Sequence, residues 1–130
     1  MNSIFKNILA TLGGVVIGMV VNMVLIITGN KLIPFEDSMN PMNAMNWELK
    51  YFIFPFIAHA IGTLSGALVA AKFTASYQII FAICIGIFFL LGGITMVFIL
   101  PAPTWFAVVD LLLAYIPMSW LGWKISNKKY

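Results

Sequence analysis

Four long apolar stretches dominate this sequence: Ile8 to Thr28, Tyr51 to Ala71, Gln78 to Leu100 and Trp105 to Trp123. The first and third contain no ionisable side chain but a cysteine, the second contains one histidine and the fourth one aspartate. A helix needs about 20 mostly apolar residues to cross the roughly 30 Å hydrocarbon core, at about 1.5 Å of rise per residue. Each stretch meets that length. The reading is therefore an all-α membrane protein, with four transmembrane helices in an up-down bundle forming one domain over residues 1–130. Composition agrees, because 62% of residues are hydrophobic and only 8% charged, where a soluble domain has about a quarter charged. The first stretch is too long for the apolar region of a secretory signal and ends in Gly29-Asn30-Lys31 without a small-residue cleavage site, so it reads as a retained span.

Short connections, Lys72 to Tyr77 and Pro101 to Thr104, make spans two, three and four antiparallel neighbours in sequence order. Lysine placement supplies an orientation, since cytoplasmic flanks retain positive charge. Lys6, Lys72, Lys124, Lys128 and Lys129 fall on one side; Lys31 and Lys50 fall on the other with Glu36, Asp37 and Glu48. Both termini are thus expected in the cytoplasm. Trp47, Tyr51 and Trp105 then mark the outer interface and Tyr77, Trp120 and Trp123 the inner one, as aromatic belts do. The net charge of +3 is spread over segment ends, which argues against a nucleic-acid surface. The expected partners are the lipid bilayer and either further copies of the chain or a larger membrane complex.

Within lipid, small residues that let backbones approach become the packing signal. Ala58, Gly62, Gly66 and Ala70 recur every fourth residue in span two, and Gly14 and Gly18 do so in span one, with Asn22 next on that stripe. Spans one and two are expected to meet there. The outer loop, residues 29–50, is too short for a core of its own. Asn46 and Glu48 suggest a helix start near Trp47, while Pro117 should kink span four.

Polar groups inside the spans are few and costly. A carboxylate at a helix centre costs about 2.5–3.5 kcal/mol on insertion scales, so Asp110 should face the interior and find a partner. Counted at about 1.5 Å per residue from the outer boundary, Asp110 lies roughly 8 Å deep, Asn22 roughly 9 Å and His59 roughly 12 Å. Thr63 follows His59 by one turn. A cluster of Asn22, His59 and Asp110 with Thr63 is the expected intramembrane site. It reads either as hydrogen-bonded glue fixing helix register or as a proton-responsive site in a transporter or channel for a small solute.

A metal site is not expected, since one histidine and one carboxylate fall short of a ligand set. No cofactor motif occurs. Met39, Met42 and Met45 in the outer loop form the one weak metal candidate, because soft thioethers suit Cu(I); methionine as packing filler is the alternative. Cys84 reads as a buried apolar filler. No phosphate loop, metal-ligand pair or nucleophile elbow is present, so an enzyme is not expected. A structural, accessory or oligomerising membrane subunit is the leading functional expectation, with the proton-linked transporter or channel as its alternative.

The strings Phe54-Pro55-Phe56-Ile57-Ala58-His59-Ala60-Ile61-Gly62-Thr63 and Leu100-Pro101-Ala102-Pro103-Thr104-Trp105-Phe106-Ala107-Val108-Val109-Asp110 resemble those of small, uncharacterised bacterial four-span proteins. The resemblance covers spans two to four and implies a bacterial inner membrane. Small multidrug exporters of similar length differ, because they carry a glutamate in span one and this chain has none there.

Overall fold

A computed structural model describes residues 2–127. Five helices appear: α1 (Ser3–Leu32), α2 (Lys50–Phe73), α3 (Gln78–Ile99), α4 (Thr104–Leu113) and α5 (Ile116–Ser126). With α4 and α5 taken together, four helical segments are long and apolar enough to cross a membrane. Lys128 and Lys129, counted above for orientation, lie outside the described residues.

α1 is longer than the apolar run that announces it. Asn2 caps it, its Oδ1 accepting the Ile4 amide at 2.9 Å, and nothing interrupts the helix until Ile33 and Pro34. Thirty residues span about 45 Å, more than a hydrocarbon core, so α1 must tilt or project beyond it. It carries the start of the 29–50 loop with it.

α1 and α2 form the most extensive pair, along the small-residue faces. A side-chain carbon built on Gly14 would stand 2.5 Å from the Gly66 carbonyl oxygen, and one on Gly18 would stand 2.9 Å from that of Gly62. Such separations exclude any larger residue and leave the two backbones in direct contact. Rising numbers on α1 meet falling numbers on α2, so this pair is antiparallel. Ala58 and Ala70 complete the face, both fully buried.

α5 closes on α2, and α3 on α5, by the same device. Gly122 of α5 meets the Leu64 carbonyl oxygen and Ala67, and Gly86 of α3 meets Ser119 of α5. The core away from the 29–50 loop consists mainly of small side chains, Ala67, Ala70, Ala71 and Ala82 around Ile85. Asn7 pins the connection between α2 and α3, since its Oδ1 accepts the Ala75 amide at 2.6 Å.

Span four is broken outright. Pro117 sits in the first turn of α5, where its ring would collide with the Leu113 carbonyl and it offers no amide to that oxygen. α4 therefore ends at Leu113, and Tyr115 is distorted to φ −116°, ψ −78°, within the right-handed region but far from ideal helical angles.

Three local expectations are corrected. α2 begins at Lys50 and not near Trp47; Asn46 caps nothing, and Leu49 at the cap position is itself helical. The Trp47 amide instead closes a turn onto the Ala44 carbonyl at 3.3 Å, so this segment is spent in turns before the helix starts. Cys84 is exposed and not buried, because Ala82, Ile85 and Gly86 take the inward positions of α3.

Candidate functional site

The break in span four brings three groups together. Asp110, on the last turn of α4, is only 5% exposed. One carboxylate oxygen, Oδ1, lies 2.8 Å from Nδ1 of His59 on α2, and the other, Oδ2, accepts a hydrogen bond from the Tyr115 hydroxyl at 3.1 Å. In an unbroken helix, residues five apart point about 140° away from each other. The distortion at Ala114 and Tyr115 turns the phenol back toward the carboxylate. Gly93 makes room for it: a side-chain carbon there would stand 2.7 Å from the Tyr115 hydroxyl oxygen. The imidazole and phenol rings lie nearly parallel, 5.9 Å between centroids.

The expected cluster is thus partly assembled. His59 and Asp110 are directly bonded. Thr63 does not touch the carboxylate; its hydroxyl donates to the His59 carbonyl at 2.7 Å, which satisfies the hydroxyl within its own helix and holds the turn that carries the imidazole. Asn22 faces the same region from α1, where it meets Gly62, but bonds to neither partner. Its Oδ1 is buried without a hydrogen-bond partner among the described residues. An unpaired buried carbonyl oxygen costs about 1–3 kcal/mol, so this atom is an acceptor in want of a donor.

Tyr115 is the member of the cluster that sequence reasoning missed. Its helical position places it off the Asp110 face, and the only signal for it was Pro117, two residues beyond.

All of these side chains border one cavity of about 570 Å³, which runs from the His59–Asp110 pair toward the 29–50 loop. Its walls are largely apolar, among them Ile26, Phe54, Phe89, Met96 and Phe106, with few polar groups converging at its deep end. That is the usual character of a small-molecule site. Near the loop it is bordered by Phe35, Trp47, Tyr51 and Phe52, whose rings meet, Phe35 stacked on Tyr51 and the rest tilted or edge-on, in a continuous aromatic cluster with Trp105 and Phe106.

The methionine loop is arranged differently from a ligand set. Asn40 and Asn43 each fold the chain into a tight turn, accepting the Met42 and Met45 amides at 2.9 and 3.1 Å. Met42 and Met45 are exposed. Met39 borders a separate small pocket near the loop, which neither of the others lines. No group of three or more His, Cys, Asp or Glu side chains placed to hold a metal occurs among the described residues.

No family model, curated protein or solved structure matches this chain.

Proposed function

We propose that this chain is a proton-linked transporter or channel for a small solute, with Asn22, His59 and Asp110 as its working layer and Tyr115 as the second partner of the carboxylate. One observation carries the reading: a buried carboxylate, held by an imidazole and a phenol, borders the deep end of a cavity large enough for a small molecule. Intramembrane carboxylate and imidazole groups are costly and mark proton relays and substrate pathways. A proton on Asp110 changes what the carboxylate offers to His59 and Tyr115, and both of these sit on segments that border the cavity. Solute occupancy and protonation are then linked through one hydrogen-bonded unit.

The chain is taken to lie in a bacterial inner membrane as an up-down bundle with both termini cytoplasmic. Lysine distribution supports the orientation, and the antiparallel contacts of α1 with α2 support the alternation. An accessory or oligomerising role has less support, because the glycine faces that motivated it are occupied within the chain, Gly14 and Gly18 against Gly66 and Gly62.

Uptake into proteoliposomes bearing an imposed pH gradient tests the proposal, with a panel of small neutral and cationic solutes. At least one solute should enter faster with the gradient than without it. Asp110→Asn, which preserves shape and hydrogen bonding but not the titrating group, should reduce that gradient-dependent uptake about tenfold or more. Uptake unchanged in Asp110→Asn, or no gradient-dependent uptake by the wild type, would overturn the reading.

A further inference from the structure

The deep end of the cavity presents one open ring nitrogen. His59 borders the cavity with its side chain 29% exposed. The two nitrogens of an imidazole point to opposite sides of the ring, so with Nδ1 on Asp110, Nε2 points away from α4. Nε2 makes no hydrogen bond, and Asn22 Oδ1 is the one buried side-chain oxygen or nitrogen left without a partner among the described residues. Nε2 is therefore both unpaired and accessible. Its polar neighbours are already engaged, both Asp110 oxygens by His59 and Tyr115 and the Thr63 hydroxyl by the His59 carbonyl. Asn22 turns its Oδ1 inward, which leaves its amide N–H group as the side it offers to the cavity.

Charge decides what Nε2 offers. With Oδ2 accepting from Tyr115 and Oδ1 joined to Nδ1, the Asp110–His59 pair is neutral in two forms. One is carboxylate with imidazolium; the other is carboxylic acid with an imidazole bonded through its Nδ1 lone pair. Both carry a hydrogen on Nε2. A bare Nε2 leaves the pair with a net negative charge, which apolar surroundings penalise. Nothing near it balances that charge: α1 and α3 contribute no ionisable side chain to the lining, and Lys50 lies at the loop end beside Glu48, 3.9 Å away. The open nitrogen is then a donor without an acceptor, and the Asn22 amide adds a second donor.

The rest of the cavity favours an apolar occupant. Phe54, Phe89 and Phe106 supply flat walls, which penalise a molecule with many polar groups. Toward the loop, Ala44 is 1% exposed and its amide donates to the Pro101 carbonyl at 2.7 Å. Toward the lipid, α3 stands away from α1. Their contact is sparse, and Gly92, which lines the cavity, has open space where a side chain would stand.

We infer that the cavity takes a neutral, flat, mainly apolar molecule carrying a ring carbonyl, the class of bilayer-dissolved aromatic ketones and quinones, and that His59 Nε2–H donates to that carbonyl. This rests on the transport reading and names the class of its solute. A carbonyl accepts without donating, which matches a deep end whose open groups donate. A volume of about 570 Å³ takes a fused three-ring molecule with room to spare.

The chain has a single histidine, so nitrogen-15 labelling of histidine reports this ring alone. The full chain, free of added histidines and held in lipid nanodiscs at neutral pH, is titrated with 9-fluorenone, fluorene and 9-fluorenol, empty discs serving as the blank. In the free protein Nε2 should carry a hydrogen. 9-Fluorenone should then shift the Nε2 resonance saturably and more than that of Nδ1, while fluorene leaves both in place. By calorimetry 9-fluorenone should bind roughly tenfold more tightly than fluorene, which lacks the acceptor, and no more weakly than 9-fluorenol. His59→Phe keeps a flat ring without the donor and should lower 9-fluorenone to the affinity of fluorene, whose own binding reports an intact cavity. The wild-type comparison decides the matter even where that variant fails to fold. A bare Nε2 in the free protein, equal affinity for 9-fluorenone and fluorene, tighter binding of 9-fluorenol, or no saturable binding above empty discs would each overturn the inference. The two proposals fail separately. Gradient-driven uptake of a polar solute that Asp110→Asn removes, without 9-fluorenone binding, leaves transport standing and rejects this solute class. 9-Fluorenone binding at Nε2 without gradient-dependent uptake of any solute rejects transport and leaves the binding site.

Discussion

At the scale of single residues, the site is a question of where a buried carboxylate finds partners. Asp110 has two oxygens and each is engaged, Oδ1 by His59 and Oδ2 by Tyr115. The contributions are unequal in kind, because losing the phenol removes one hydrogen bond whereas losing the carboxylate leaves both the buried Tyr115 phenol and the half-buried His59 imidazole without their partner. Hydrogen bonds between membrane helices average about 0.6 kcal/mol and reach about 1.7. Tyr115→Phe should therefore cost about 1 kcal/mol in a denaturant-micelle unfolding titration, and Asp110→Ala distinctly more. An equal or larger loss for Tyr115→Phe would show that the phenol bond, and not the carboxylate, organises the cluster. The Asp110–His59 encounter was partly legible in residue types and depth, since both had to face inward at similar levels. Tyr115 was not legible, because a residue five places on points elsewhere until the helix is broken.

At the scale of elements, glycine placement decides which helices touch. The four-residue spacing of Gly14 and Gly18 with Gly62 and Gly66 could be read directly, because i and i+4 share a helix face and only small residues let backbones meet there. Gly13 and Gly14 adjoin in sequence yet differ in consequence. A side chain on Gly13 would meet nothing within 4 Å, whereas one on Gly66 would stand 2.6 Å from the Gly14 carbonyl oxygen. Gly66→Val should destabilise the protein by about 1–3 kcal/mol as overpacking does, and Gly13→Ala, mid-helix with open space around it, should leave stability unchanged or raise it by up to about 1 kcal/mol. Comparable unfolding midpoints for the two variants would contradict the α1–α2 interface described here. Span four shows the opposite case. A kink at Pro117 followed from the missing amide, but its position at Ala114 and Tyr115, and what it re-aims, depended on the neighbours α3 and α2.

At the scale of the molecule, the arrangement is asymmetric along its length. Away from the 29–50 loop the helices meet through alanines and glycines, and toward it they diverge around a cavity. Where each end faces is a separate matter that labelling can check. With Cys84 replaced by alanine, Asn43→Cys should react with a charged, membrane-impermeant maleimide added outside intact cells, and Ser76→Cys should react only after permeabilisation. The reverse pattern would invert the orientation drawn from the lysines, although the cavity would keep its geometry. Hydropathy alone dictated that four helices would form, because lipid supplies no partner for a free backbone amide and a long apolar run has one way to satisfy its own. Residue spacing likewise dictated which faces could come close. Only the tertiary structure decided that the helix break carries Tyr115 onto Asp110, that Asn22 is left with an unanswered acceptor, and that α3 stands away from α1. Those outcomes depend on angles between helices, and an angle is a property of the packed assembly that no single stretch of sequence contains.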